Sequence, residues 1–379
     1  MTRTAVGGGP SPLERTIAEH VEAWAAEWVP EAASSHVRVR RIAERPRAVL
    51  YAVGVGHDET PQILAKVRRD QPPGERPQPA RGRPRLVDAA LPVAEQTALE
   101  HEGLRQIRAM VGPSHPVFAA VRPLGVLLPQ HTVFMEYVSA PTLRQQLVRD
   151  SRLAAPWPRA RRRDGDRVWR DVGAWLGTFQ RAMRTQGLEE RQGSREEVVE
   201  RFAAYAGWLT DTLGARTVGD DVHRCGDLAR EVLPARLPTA VGHGDFAPRN
   251  VFLRGDGRLA VFDPMPRWAV PRYEDLCRFL VAVRLQGIQL HSRGLAYTER
   301  DLDRREHRVL EGYRAGAELP LAQLRCYQLL ITLDKWSALA DRTSTGWRRR
   351  VHDAAVRTAS GHLRHEVRRL LRLVGRETG

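Results

Sequence analysis

The segment Gly242–Asp263 constrains this chain more than any other. It opens with GHGDFAPRN, runs through Val251–Leu253, turns at Arg254-Gly255-Asp256-Gly257, and returns as Leu259–Phe262 before Asp263. An Asp-Gly turn between two short apolar runs predicts a β-hairpin. His243, Asp245 and Asn250 form the spacing HxDxxxxN, and Asp263 lies thirteen residues past Asn250. A polar loop entering a hairpin and an acid leaving it bring Asp245, Asn250 and Asp263 to one edge. Asn and Asp supply hard oxygen ligands, which suit Mg²⁺ when phosphate oxygens complete its shell. Asp245 is then free to orient a hydroxyl and accept its proton.

The rest of the chain divides by period. Ile17, Val21, Trp24 and Trp28 recur at helical spacing, which predicts a first helix over Thr16–Trp28. Val37–Ile42, Ala48–Val55 and Ile63–Val67 are short, β-branched or alternating runs separated by turn-like ERPR and GHDETPQ, which predicts three meandering strands. Residues 70–88 are rich in Pro, Gly and Arg and read as a mobile insertion. A helix is expected over Val93–Val111, strands at Val117–Val121 and Thr132–Tyr137, and a helix at Leu143–Val148. The arginine-rich run Arg159–Arg163 reads as a linker or loop, and the pattern beyond it is mostly helical. The expected class is therefore α+β. A small antiparallel sheet with one key helix fills 1–138, and a mainly helical domain fills 139–379.

Composition narrows the function classes. Hydrophobic residues at 42% and charged residues at 28% exclude disorder as the general state. No apolar run reaches the roughly 18–20 residues of a membrane helix, and the first residues lack the apolar stretch of a secretory signal. Cys225, Cys277 and Cys326 are far apart and form no CxxC pair, which fits a reducing cytoplasm rather than a disulfide or zinc scaffold. The net charge is +15, yet it comes from 58 arginines against two lysines. That bias reads as general composition, and no zinc finger, RNP motif or basic recognition helix accompanies it, so a nucleic-acid partner is not expected. It also draws attention to Lys66 and Lys335. Arginine replaces a solvated lysine readily but cannot replace a compact point charge. Lys66 stands inside the third apolar strand, where such a charge has a use; Lys335 is expected on a helix surface.

The ordered set His243-Gly244-Asp245, Asn250, Val261-Phe262-Asp263, Pro271 and Asp275-Leu276 resembles the aminoglycoside phosphotransferase and choline kinase superfamily, distant relatives of the protein kinases. The resemblance covers about residues 37–290. It implies a bilobal protein-kinase-like fold and an ATP- or GTP-dependent phosphotransferase acting on a small hydroxylated acceptor. In that frame Lys66 binds the α/β-phosphates, Asn250 and Asp263 hold Mg²⁺, Asp245 is the catalytic base, and His243 and Asp275 brace the loop. The lysine's partner must come from the helix over Val93–Val111. Glu95, Glu100 and Glu102 are available; Glu100 shares the apolar face of Leu104, Ile107 and Val111 and matches the family's helix, so Glu100 is chosen. Met135, Glu136, Tyr137 and Val138 stand where the family contacts the nucleotide base through backbone groups.

The departures point to a small-molecule acceptor. No GxGxxG loop joins the first strands, Ala247 replaces the catalytic-loop lysine of protein kinases, and Arg249 is a candidate for the missing charge. Helices after about Gly287 are expected to shape the acceptor site, with Glu299, Asp301 and Asp303 in one loop. The rival readings are a non-catalytic nucleotide-binding pseudokinase and, behind it, a basic nucleic-acid-binding protein.

Overall fold

The alternation of buried and half-buried residues along Ile63–Arg68 gives the small sheet two distinct faces. The computed structural model describes residues 10–31, 36–57, 60–69, 82–87, 91–154, 164–341 and 346–378. It divides into two compact units, one built from 1–71, 91–108 and 120–139 and the other from 72–90, 109–119 and 140–379. The smaller unit begins with α1 (Pro12–Trp28), entered through a capping box in which Ser11 and Glu14 satisfy each other's backbone amides. Strands β1 (Val37–Arg45), β2 (Ala48–Val55) and β3 (Ile63–Arg68) follow as an antiparallel meander. Most of α2 (Val93–Val111) belongs to this unit.

Next in the chain come β4 (Phe118–Ala120), β5 (Pro123–Leu127) and β6 (Thr132–Glu136). The five-stranded sheet has the order β1-β2-β3-β6-β5. Ile63, Ala65 and Val67 turn to one face and form a core with Ile17, Val21 and Trp28 of α1. Leu64, Lys66 and Arg68 turn to the other, toward α2.

The larger unit is mainly helical. It runs through α3 (Leu143–Asp150), α4 (Asp164–Ala182), the short strand β7 (Glu189–Glu190), α5 (Arg195–Leu213), α6 (Ala215–Val218) and α7 (Arg224–Val232). Strand β8 (Thr239–Val241) leads into the HxD loop; β9 (Val251–Leu253) and β10 (Leu259–Val261) form the expected hairpin, and β11 (Trp268–Pro271) returns antiparallel to β8. Helices α8 (Glu274–Arg284), α9 (Gly287–His291), α10 (Glu299–Arg314), α11 (Leu321–Ala340) and α12 (Gly346–Thr378) complete it. Helices α4 and α10 cross at glycine. A Cβ on Gly173 would lie 1.9 Å from the Val309 carbonyl oxygen, and one on Gly312 would lie 1.8 Å from that of Arg170. Among the described residues, no helix is long and apolar enough to cross a membrane.

Three expectations need correction. The interval 117–137 holds three strands rather than two: β4 leaves to pair with β10, and β5 joins the edge of the larger sheet. Strand β5 carries a proline and a glycine at a register shift, features that edge strands tolerate and that mask them in sequence. Most of 70–88 lies outside the described residues, as does Arg159–Arg163, but the described end 82–87 is anchored. Leu86 is buried, its carbonyl accepts from Arg191 Nη1 at 2.9 Å, and Arg83 Nη1 reaches Asp341 at 3.4 Å. Finally, Glu299, Asp301 and Asp303 form the first turns of α10, capped by Thr298, not a loop. Glu299 and Asp303 both pair with the buried Arg284 while their own side chains stay exposed.

Candidate active site

In the smaller unit the site is an ion-pair cluster. Lys66 Nζ donates to Glu100 Oε1 at 2.8 Å, and Arg68 Nη2 donates to Glu100 Oε2 at 2.5 Å. Arg68 Nη1 also reaches Gln96 Oε1 at 3.1 Å. Glu100 is fully buried together with Leu104 and Ile107 on the same helical face. Glu102 instead pairs with Arg105 and Gln106 in solvent, and Glu95 is exposed, so Glu100 is the helix acid that meets Lys66. One carboxylate serves two cations in a cluster largely withdrawn from water. Sequence reasoning missed Arg68 and Gln96. The signal was present: Arg68 is two residues from Lys66 on an alternating strand, and Gln96 is four from Glu100 on the helix.

The segment Met135–Val138 leaves the same sheet at the end of β6, which lies between β3 and β5. Met135 is buried. The amides of Glu136 and Tyr137 donate to the carbonyls of Arg122 and Gln62, both at 2.8 Å. The Glu136 carboxylate accepts from the Arg122 amide at 3.2 Å. The Val138 amide makes no hydrogen bond with a described residue.

In the larger unit the site is a shaped loop. Gly244 has φ 84°, and a Cβ there would stand 2.9 Å from the Met265 carbonyl oxygen. Glycine is therefore required between His243 and Asp245, because only glycine combines that dihedral with that approach. The Met265 amide donates to the His243 carbonyl at 2.8 Å, and the Phe262 amide donates to the Asn250 carbonyl at 3.1 Å. These two bonds tie the HxDxxxxN loop to the turn carrying Asp263. Asp263 itself has φ 62°, a left-handed conformation that costs on the order of 1–3 kcal/mol in a non-glycine residue. Such strain persists only where the surroundings dictate it, here at the acid that leaves the hairpin.

Asp245 is half-buried. Asn250 Nδ2 donates to both its backbone oxygen and its Oδ2 at 2.8 Å, and Arg249 Nη2 pairs with its Oδ1. Burial raises the proton affinity of its carboxyl; Arg249 opposes the rise, and the nearby Asp263 adds to it. The Asn250 amide thus spends its nitrogen on Asp245, which leaves Oδ1 for a cation. With the Asp263 carboxylate this makes a pair of hard oxygen donors. No group of three or more His, Cys, Asp or Glu side chains among the described residues is arranged to hold a metal.

The loop rests on two supports. Asp275 Oδ2 accepts from the His243 amide, and the Gly244 amide also donates to that carboxylate. Burial pushes the Asp275 carboxyl up to about 6, assisted by Glu274 and opposed by those amides. The His243 ring is fully buried among Trp175, Phe179 and Phe246, with centroids 5.8 Å away in each case. Burial pushes its pKa down to about 4. A neutral, enclosed imidazole fills space and does not exchange protons with a substrate. His243 and Asp275 therefore support the loop through packing and backbone hydrogen bonds.

Lys335 corrects an expectation. It is not on an open helix surface: it is half-buried on α11, and burial together with Arg249 and Arg278 pushes its pKa down to about 8.

A five-stranded antiparallel sheet with a strand lysine held by a helix glutamate, and a helical unit bearing this loop, define the protein-kinase-like class of phosphotransferases. The chain belongs to the phosphotransferase enzyme family, whose family model matches residues 83–310. Choline kinase from Cryptosporidium parvum Iowa II is similar in structure, with a TM-score of 0.55 and 9% identity over 96% of each chain. A choline/ethanolamine kinase family protein from Mesorhizobium loti gives 0.51 at 12% identity, over 93% of this chain and 99% of that one. Spectinomycin phosphotransferase in complex with ADP and spectinomycin gives 0.51 at 11% identity, over 93% and 98%. At these identities the likeness is one of fold. No curated protein matches the sequence significantly.

Proposed function

We propose that the chain transfers the terminal phosphoryl group of ATP or GTP to a hydroxyl of a small molecule. The observation that carries this reading is the setting of Asp245, a half-buried carboxylate oriented by Asn250 and Arg249 beside the strained turn of Asp263. Lys66, held by Glu100, binds the α/β-phosphates, and Met135 to Val138 neighbour the base, with the Val138 amide as its donor. Asn250 and Asp263 would hold Mg²⁺, which would supply positive charge against the phosphate oxygens. Asp245 orients the acceptor hydroxyl and takes its proton as the new oxygen–phosphorus bond forms and the bond to the β-phosphate oxygen breaks. Its raised proton affinity makes it a better base than a solvated aspartate. Arg249 sits where negative charge develops. Most of the acceleration comes from positioning and fixed charge. The buried free thiols of Cys225, Cys277 and Cys326 fit a cytoplasmic location.

The test is acceptor-dependent release of ADP or GDP with Mg²⁺ across hydroxylated metabolites, amino alcohols and aminoglycosides. Release that depends on an acceptor, with a phosphorylated product, supports the proposal. Tight nucleotide binding with no transfer to any acceptor would favour the pseudokinase instead.

A further inference from the structure

We infer that the acceptor is an anion, carrying a carboxylate or phosphate beside its hydroxyl, and that Lys335 selects it. This rests on the phosphotransferase reading of Asp245. Lys335 lies on α11, and the charges of Arg249, Arg278, Asp334 and Asp245 all act on it. The carboxylates of this neighbourhood already have partners. Asp334 accepts from the Tyr205 hydroxyl at 2.7 Å and pairs with Arg83 at 3.7 Å. Glu274 pairs with Arg191 at 2.7 Å and with Arg278 at 2.9 Å. Asp245 holds Arg249 and Asn250. Lys335, by contrast, makes no hydrogen bond or ion pair with any described residue.

A half-buried ammonium without a direct partner is unfavourable. Its three donors suit a compact oxyanion brought by a ligand. An amine acceptor at this place would meet Lys335, the cation here whose charge no direct partner offsets, since Arg249 and Arg278 are held by Asp245 and Glu274. Like charges brought together without a counter-ion repel and reject a partner. The chain therefore discriminates by charge and favours acids over amines at the position next to the base.

The experiment compares acceptors of similar frame and different charge. Gluconate and glucose 6-phosphate are set against glucose and glucosamine, and glycerate and glycerol 3-phosphate against glycerol and ethanolamine. Each is measured as acceptor-dependent phosphorylation by the full chain and by Lys335→Glu, Lys335→Met and Lys335→Arg. The parent is expected to prefer the acids in kcat/KM, the hydroxy acids and the phosphate esters separating the two anion types. Lys335→Glu should shift the acid-to-amine ratio by at least about tenfold toward amines; Lys335→Arg should keep the parental preference. If Lys335→Glu does not fold, Lys335→Met must lose the acid preference.

Transfer confined to amines, or a ratio unchanged in the folded variants, overturns the inference and leaves phosphotransfer standing. A rise in the KM for nucleotide with the acceptor ratio unchanged assigns Lys335 to the nucleotide and also overturns it. Absence of transfer to any acceptor overturns both readings.

Discussion

Two clusters of candidate residues, one in each unit, are held by different physics. In the smaller unit, Lys66, Arg68 and Glu100 are fastened to one another by direct ion pairs between a strand and a helix. In the larger unit, Asp245, Asn250 and Asp263 are placed by backbone hydrogen bonds, a glycine that admits no Cβ, and aromatic rings packed under the loop. The first cluster depends on charge, the second on shape. A substitution that keeps charge but changes form should therefore damage the two clusters unequally.

The sharpest break is Asp245→Asn. The amide keeps the hydrogen-bonded outline of the loop but cannot take a proton. Turnover is expected to fall ~10²–10⁴-fold with nucleotide binding little changed. Steady-state kinetics with titration calorimetry would show the split; near-parental turnover would remove Asp245 from the mechanism.

Next in size is the charge contrast at Lys66. Lys66→Arg keeps the charge, yet Glu100 already holds one guanidinium, from Arg68, through both its Nε and Nη2. A second wide fork would displace Arg68 or the phosphates. A shift of about 1 Å at such a site costs on the order of 10²-fold in activity. The melting temperature should stay close to the parent's, and parental kcat/KM would contradict the phosphate role.

Asp263→Ala and Asn250→Ala compare two ligands inside the shaped loop. A carboxylate gives an ion a full charge and an amide only a dipole. Calorimetry with and without Mg²⁺ should show the larger loss of metal-dependent nucleotide binding in Asp263→Ala. Equal losses would mean that the two oxygens do not share one ion.

The smallest effect concerns Lys335, whose pKa of about 8 in the fold lies below its ordinary 10.5. Between those values the unfolded chain binds more protons than the folded one, so this group makes stability rise with pH across the window. Lys335→Met removes that contribution. The variant should melt above the parent at pH 7, and the gap should narrow toward pH 10.5. A gap independent of pH would place Lys335 in solvent.

Local spacing explains why the loop was legible in sequence and parts of its support were not. HxDxxxxN, the Asp-Gly hairpin and Asp263 are contiguous, and β9 and β10 occupy the predicted runs with Val251 opposite Val261. Lys66 stood out because arginine fills nearly every other basic position. Glu100 followed from helical periodicity. Arg68 was hidden by that same abundance of arginine, which makes a structural guanidinium look like a solvated one. Lys335 was misjudged for a different reason: α11 lies 85 residues beyond Asn250 at that point, and only the packing of helices α8 and α11 brings the two lengths of chain together. The scarcity of lysine applied to both positions, yet periodicity alone does not reveal how far each side chain of a largely buried helix is covered. The acids of α10 were expected in a loop, and their tie to Arg284 had no local signal because that arginine comes from another helix.

The most direct test of the central claim follows the phosphoryl group itself. The full chain is incubated with Mg²⁺, γ-labelled ATP or GTP and the acceptor panel, and the label is traced. The account predicts label in an organic phosphate ester of the acceptor, lost in Asp245→Asn while nucleotide still binds. Label found only in inorganic phosphate, or an ester formed equally well by Asp245→Asn, would contradict it.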